Sequence, residues 1–323
     1  MSESERLRDA LRRIAEITRS AAGSSGDDDG YEESEAALVC TPKALPKELQ
    51  VRAAQTAADV NPVNAPAFHF YLPAEDEAFA SLVSDPARIA VLTSKYWGPS
   101  RRRLTVSFME ATGADLRAKI ISHLNAWNCG IQFVETRGTG QVRISREPGG
   151  YWSYLGTDVL HIATNRPTMN LEGFTMSTSD AEFRRVVRHE GGHTLGFPHE
   201  HMRSALVARI DREKAYAYFF RTQGWNRTMV DQQVLTPLDE RSIMGTRADE
   251  TSIMCYQLPG EITRDGRPIV GGLNINTTDV TFAQRIYPPT GAAPEQREQE
   301  GRREPDAALL EQEGFVYDPV PVD

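Results

Sequence analysis

Four of the seven histidines in this 323-residue chain fall within the thirteen residues from His189 to His201. His189 and His193 stand four residues apart, so a helix through them would place both imidazoles on one side, one turn apart. Ser179 and Glu182 form an S-x-x-E capping box upstream that would start such a helix. Two imidazoles at this spacing are typical of a pair of ligands to one Zn²⁺ ion.

The residues after this helix complete a candidate metal site. Gly196 can take the left-handed backbone conformation that ends a helix, and the turn would bring His199 back as a third ligand. Three neutral imidazoles leave one tetrahedral position for water, as in a catalytic zinc site. Glu190 could take a proton from that water and pass it to a leaving amine. The sequence therefore predicts one Zn²⁺ per chain, bound by His189, His193 and His199.

Residues 189–200, HEGGHTLGFPHE, resemble the zinc motif of the metzincin peptidases, and among these they look most like the astacin family. A second block, SIMCY at residues 252–256, is similar to the Met-turn of that family. The resemblance implies that Met254 lies beneath the metal as an apolar floor. It also implies that Tyr256 is a zinc ligand that swings to stabilise the tetrahedral intermediate.

Two further blocks extend the resemblance over residues 95–288. Trp152, Ser153 and Tyr154 belong to a W-S-x-x-G segment, which in the family lies near the edge strand that binds substrate. Residues 279–287 resemble the closing helix of the family.

The resemblance implies an α+β fold with two subdomains around a cleft, a twisted mixed sheet, a backing helix and the active-site helix. The activity it implies is hydrolysis of internal peptide bonds in a peptide or protein substrate, which would add to the edge strand. Glu200 follows the third histidine and would, as in the family, anchor a newly liberated N-terminus; a surface carboxylate is the alternative. Asp27 and Cys40 are candidates for a residue that blocks the zinc, but we expect Cys40 to be an ordinary thiol.

The acidity of the chain belongs to its two ends. Residues 1–36 carry 5 basic and 10 acidic side chains, residues 291–323 carry 3 and 9, and the net charge of the whole chain is −9. We expect a short helix and an acidic linker in 1–36, and a disordered tail in 291–323. Residues 88–290 would form the catalytic domain. Residues 37–87 would be an extension, either a pro-region or an integral part of that domain.

Composition excludes several classes of protein. The near-neutral centre lacks the basic patch of a nucleic-acid-binding domain, and no apolar run approaches the roughly 18 residues of a membrane span. Three dispersed cysteines argue against a disulfide framework, so the chain looks like a bacterial-type, cysteine-poor relative of the astacins. We expect a cytoplasmic protein, with export that needs no cleaved signal as the alternative.

Periodicity predicts several elements around these motifs. Helices are expected over residues 47–60 and 114–127, and strands over residues 104–108, 131–134, 141–144 and 159–163.

Three alternatives to an active endopeptidase stay open at this point. They are a non-catalytic zinc module that holds a peptide, a latent protease that needs N-terminal processing, and a metal hydrolase that acts on another bond.

Overall fold

The computed structural model describes residue 40 and residues 43–65, 94–238 and 247–289. The expected N-terminal helix and linker in 1–36, part of the extension (66–87), and the tail at 291–323 lie outside the described residues. Asp27 lies outside them as well.

Five strands form one mixed sheet in the order β2-β1-β3-β5-β4. Their bounds are Arg102–Phe108 (β1), Ile131–Glu135 (β2), Val142–Ser145 (β3), Tyr151–Ser153 (β4) and Met169–Leu171 (β5). Strands β2, β1, β3 and β5 run parallel to one another. Strand β4 pairs with β5 in the antiparallel direction. The mixed sheet expected from the sequence is confirmed, and β4 forms one of its edges.

Two helices form where the apolar spacing predicts them. Helix α1 (Lys47–Val60) follows Pro46 and buries small alanine side chains, which lets it lie close to its neighbours. Helix α2 (Ala114–Leu124) continues into a 3₁₀ turn (Asn125–Trp127). Its buried residues Leu116, Ile120 and Leu124 recur at helical spacing and make it the backing helix of the sheet.

The segment with the paired histidines forms one continuous helical stretch, which we name the histidine helix. It consists of α3 (Asp180–Glu182), a π-helical turn (Phe183–Val187) and α4 (Arg188–Thr194). Ser179 caps it by accepting from the Glu182 amide at 3.2 Å. The predicted capping box is only half formed, because the Glu182 carboxylate accepts hydrogen bonds from the Arg185 guanidinium instead.

The second half of the described chain contains four α-helices among the described residues. Its helices are α5 (Ser204–Val207), α6 (Arg212–Gln223), α7 (Arg227–Val230) and α8 (Thr277–Ile286). A π-helical turn (Asp231–Leu235) follows α7, and single 3₁₀ turns occur at Glu200–Met202 and Gly260–Ile262. The closing helix α8 lies where the family resemblance implies it.

The buried side chains fall into two hydrophobic clusters, as expected for two subdomains. The first, the sheet core, contains the inner faces of β1 to β5, α2 and the histidine helix. The second, the lower core, is formed mainly by α6, α7 and the segments around Leu258 and Ile269. The closing helix packs with the sheet core, to which its residues Ala283 and Ile286 belong.

The strand predicted over residues 159–163 is wrong. This region is a 3₁₀ helix (Gly156–His161), which begins at Gly156 with a φ of 46°. The Gly156 backbone passes so close to the Lys95 carbonyl that a Cβ atom would clash, and the next amide, on Thr157, donates to that carbonyl at 3.0 Å. These long-range contacts turn the chain at a point where its apolar residues alone suggested a strand.

The described residues contain no helix long and apolar enough to cross a membrane.

Two adjacent phenylalanines on α6 provide a matched test of the lower core. Phe219 is 1% exposed and Phe220 is 71% exposed. We expect Phe219→Ala to lower the free energy of unfolding by about 3–5 kcal/mol, because it leaves a cavity in the lower core. Phe220→Ala should change it by less than about 0.5 kcal/mol. Urea unfolding of both variants measures the difference, and equal losses would contradict this packing.

Candidate metal centre and cleft

The three predicted ligands meet at one point. The Nε2 atom of His199 lies 3.2 Å from that of His189 and 3.0 Å from that of His193. All three side chains are buried. Four nitrogen or oxygen ligands on a tetrahedral zinc, at about 2.0–2.1 Å from it, lie about 3.3 Å from one another. The separations therefore fit three ligands of one zinc ion.

The hydrogen bonds at Nδ1 of His189 and His193 indicate that their Nε2 atoms suit a cation. The Nδ1 atom of His189 lies 2.6 Å from the Ile253 carbonyl oxygen, and that of His193 lies 2.8 Å from the Phe197 carbonyl oxygen. A carbonyl oxygen can only accept, so each Nδ1 carries the proton and each Nε2 presents a lone pair. Burial lowers the pKa of His189 to about 4 and favours the same neutral form. Facing lone pairs repel unless a cation lies between them.

Glycines on the histidine helix let its neighbours approach the metal site. A Cβ atom on Gly192 would lie 2.4 Å from Met254 Sδ and 2.6 Å from Trp127 Cζ2. One on Gly191 would lie 3.0 Å from Leu124 Cδ2. The helix ends at Thr194, and Gly196 then takes a φ of 98°, so the predicted turn is confirmed.

Met254 lies in the turn that supports this helix. The Met254 carbonyl accepts from the Glu200 amide at 2.9 Å, so the turn is joined to the residue after the third histidine. Asp279 of α8 holds the same turn, because its carboxylate accepts from the Ser252 hydroxyl at 2.6 Å and from the Ile253 amide at 3.0 Å. The closing helix thereby fixes the carbonyl that orients His189.

Glu190 is 1% exposed, and the polar side chain that interacts with its carboxylate is the Cys40 thiol. Burial raises the pKa of Glu190 to about 8. This carboxyl group lies near the Cys40 thiol and the Tyr256 hydroxyl, both of which belong to the surroundings of the three imidazoles. It can accept a proton or a hydrogen bond from a molecule that enters.

Tyr256 lies against the third histidine. Its ring centre is 4.2 Å from that of His199 and 4.0 Å from that of His201, on which it stacks. Its hydroxyl donates to the Cys40 carbonyl. The Nε2–H of His201 donates to the Gln233 carbonyl at 2.8 Å. His201 therefore packs against the Tyr256 ring and does not join the three ligand imidazoles.

Glu200 follows the third histidine at the start of the 3₁₀ turn Glu200–Met202. It is partly buried, and burial raises its pKa to about 7. One carboxylate oxygen accepts from the Asp249 amide at 3.0 Å. Together with Tyr96 and Trp127 it lines a cavity of about 40 Å³.

The Trp152–Tyr154 block forms the sheet edge. Trp152 and Ser153 end β4, and Tyr154 follows directly. The Ser153 hydroxyl contacts that of Thr194 at the end of the histidine helix, with 3.0 Å between the oxygens. The outer edge of β4 is therefore held at a fixed position relative to the metal ligands.

Cys40 is in a position that the sequence did not lead us to expect. Its sulfur and the ligand nitrogens of His189, His193 and His199 all lie within 4.8 Å of one another. Cys40 is 7% exposed, and burial raises the pKa of its thiol, with the neighbouring Glu190 carboxylate acting in the same direction. The thiol thus lies beside the ligand nitrogens of the candidate metal site, while Cys40 also packs with the buried side chains of the lower core.

A scan against protein-family models and a search of the curated proteins find no match for this chain. Among solved structures, one of myroilysin, an astacin-family zinc metalloprotease, is 32% identical to it. The match covers 60% of this chain and 96% of myroilysin, with a TM-score of 0.56. This chain belongs to the astacin family. It is a zinc metalloendopeptidase, as the sequence motifs predict.

Two other structures match with lower TM-scores. A second myroilysin structure is 31% identical, covers 60% of this astacin-like chain and 86% of its own, and has a TM-score of 0.46. High choriolytic enzyme 1, a hatching enzyme zinc-protease from the medaka Oryzias latipes, is 20% identical. It covers 57% of this chain and 88% of its own, with a TM-score of 0.40. All three cysteines of this family member are free, as expected of a cysteine-poor relative.

Sequence reasoning missed the role of Asp279, and it named Cys40 only as a candidate near the zinc while expecting an ordinary thiol. Asp279 was read only as part of the closing helix, although its position three residues after Asn276 is a capping pattern, and the structure forms that capping box. Cys40 has no ligand-like spacing to the histidines, so only the three-dimensional structure reveals its position.

The contact between Gly192 and Met254 gives a test of the site. We expect Gly192→Ala to lower the free energy of unfolding by about 1–3 kcal/mol, since the added methyl group must displace Met254 or Trp127. It should also weaken zinc binding, because the histidine helix moves away from the Met254 turn. Gly113→Ala is the control, as its Cβ meets nothing within 4 Å. Urea unfolding and competition with a zinc chelator measure both effects; wild-type values for Gly192→Ala would contradict the contact.

Proposed function

We propose that this protein hydrolyses internal peptide bonds with His189, His193 and His199 as the ligands of one Zn²⁺. The observation that carries this proposal is the convergence of three buried imidazole nitrogens, with the buried Glu190 carboxylate on the same helix next to His189. Bound zinc would supply a Lewis acid for the scissile carbonyl and lower the pKa of a water molecule. The remaining steps belong to side chains of the protein.

Glu190 is proposed as the general base and then the general acid. It lies next to His189 on the histidine helix, and its carboxylate can accept the proton of an attacking water. The same carboxyl group can then give that proton to the leaving amine. Its burial excludes bulk water, which strengthens hydrogen bonds to the reacting group.

Tyr256 is proposed to donate its hydroxyl proton in a hydrogen bond to the oxyanion that forms at the scissile carbonyl. Its position 4.2 Å from the His199 ring supports this role, and its hydroxyl already donates to a backbone carbonyl, that of Cys40. His201 fixes the plane of the ring by stacking. The role of Tyr256 as a zinc ligand, which the family resemblance implies, remains a prediction beside this one.

The edge of β4 is proposed to bind substrate main chain. An extended peptide could pair with the backbone of Trp152 to Tyr154, because β4 is the last strand of the sheet. Met254 would form the apolar floor below the metal, and Glu200 would receive a liberated amino group in its cavity. Residues 88–290 would be the catalytic domain.

The first test is to map cleavage products in a diverse peptide mixture by mass spectrometry. Because Cys40 lies over the imidazoles, Glu190→Ala is compared with its parent both in the wild type and in a Cys40→Ala background. We expect Glu190→Ala to lower kcat by about 10²–10⁴-fold, because the proton acceptor is lost, while one zinc per chain stays bound. Glu182→Ala, on the same helix, should keep the parent rate.

Two results would contradict the proposal. The first is an unchanged rate in Glu190→Ala. The second is no cleavage by the Cys40→Ala protein shown to carry one zinc, which would favour a non-catalytic module that holds a peptide.

A separate variant tests Tyr256. Tyr256→Phe removes only the hydroxyl, so we expect kcat to fall about 10²-fold and KM to change little, because the hydrogen bond forms with the developing oxyanion. The three histidines should keep the metal at one per chain. Tyr218→Phe is the control, because it removes a tyrosine hydroxyl from helix α6 and leaves Tyr256 intact. A rise in KM with unchanged kcat would assign Tyr256 to substrate binding instead.

A further inference from the structure

The histidine helix ends in a glycine turn that carries the carbonyl for the second ligand. The Gly196 amide donates to the His193 carbonyl at 2.8 Å, and the Phe197 amide donates to the Gly192 carbonyl at 3.0 Å. These two bonds form a Schellman motif, in which a left-handed glycine ends the helix. The Phe197 carbonyl then lies 2.8 Å from Nδ1 of His193. The direction of the His193 ring therefore depends on where this turn lies.

The next two helix carbonyls are bound by side chains that lie far away in the sequence. The last carbonyls of a helix cannot form hydrogen bonds within it. The Trp97 indole donates to the Thr194 carbonyl at 2.8 Å, and the Tyr287 hydroxyl donates to the Leu195 carbonyl. The same hydroxyl accepts from the Trp97 amide at 3.1 Å. Trp97 and Tyr287 are both buried, so they join the end of the helix to the sheet core.

Tyr287 is itself held at a fixed position. It follows α8 directly, and its amide donates to the Ala283 carbonyl at 2.8 Å. Its carbonyl accepts from the Gly130 amide at 2.7 Å. This approach requires glycine at position 130, because a Cβ atom there would lie 2.4 Å from the Pro288 carbonyl oxygen. Burial raises the pKa of Tyr287, so its hydroxyl keeps the proton that it donates.

Aromatic rings hold the side chain of the same turn. The Phe197 ring centre lies 5.4 Å from that of Phe282 and 6.1 Å from that of Tyr287. The rings of Trp127 and Tyr96 pack on it at 5.1 and 6.2 Å. Two of these four rings come from α8 and the residue directly after it. The closing helix therefore contributes to both the backbone and the side-chain contacts of the turn.

We propose that Tyr287 is a positioning residue, which orients His193 through its hydrogen bond to the Leu195 carbonyl. Without the hydroxyl, this carbonyl and the Trp97 amide would be buried without a partner, and the turn could pair them with water only by moving. Such a movement would take the Phe197 carbonyl away from His193. The proposal rests on the zinc site proposed above and adds a residue that prepares one of its ligands.

The two ends of α8 would then act on different ligands. Asp279, near the start of the helix, holds the turn of Ile253, whose carbonyl orients His189. Tyr287, at the other end, holds the turn that orients His193. Loss of one contact should therefore affect one imidazole and leave the other in place. This selectivity distinguishes positioning from a general loss of stability.

The test follows the imidazole N–H protons in the zinc-loaded full-length protein, labelled with ¹⁵N-histidine, by NMR. A weaker hydrogen bond moves the signal of such a proton upfield. We expect Tyr287→Phe, which keeps the ring and removes the hydroxyl, to shift the His193 signal and leave the His189 signal unchanged. Asp279→Asn should give the opposite pattern. If Tyr287→Phe does not fold, Trp97→Phe, which removes the neighbouring indole donor, replaces it with the same expectation.

Zinc affinity, measured by competition with a chelator, gives the second readout. We expect Tyr287→Phe to bind zinc about tenfold more weakly, at the lower end of the range for groups that hold a metal ligand. Tyr216→Phe is the matched control, because it removes a hydroxyl that donates to Asp231 at 2.6 Å in a different part of the chain. It should keep the wild-type affinity and both histidine signals.

Two results would overturn the role of Tyr287. The first is an unchanged His193 signal with wild-type zinc affinity in Tyr287→Phe. The second is an equal shift of the His189 and His193 signals, which would indicate general loosening. The zinc site fails in a different way: a wild-type protein that binds no zinc contradicts the proposed function itself.

Discussion

The whole site depends on holding the Nε2 atoms of three imidazoles close to one point. This arrangement is unfavourable without a cation, so the protein must fix each ring before the metal arrives. Phe197 orients His193 from the turn just after the helix, and Ile253 orients His189 from a turn that lies sixty-four residues further along the chain. One orienting contact is therefore local and the other requires the complete fold.

The long-range contact explains why the closing helix belongs to the sheet core. The Asp279 carboxylate binds Ser252 and Ile253, and the Ile253 carbonyl in turn holds His189. Helix α8 can fix this turn only if it is itself fixed, and its buried residues pack with the strands and the histidine helix. The histidine helix can lie close to this turn because Gly192 has no side chain and leaves room for Met254. The metal site and the sheet core are thus stabilised by the same packing.

The sequence predicts the parts of the site that follow from local geometry. The i, i+4 pair of histidines and the left-handed glycine at 196 depend on nearby residues only, and the structure has both as expected. The mixed sheet and the backing helix follow from periodicity and the family resemblance. Residues 159–163 could not be predicted in this way, because a backbone contact with Lys95 decides their conformation. Cys40 could not be predicted for the same reason: the contacts that place its thiol come from β4 and Tyr256.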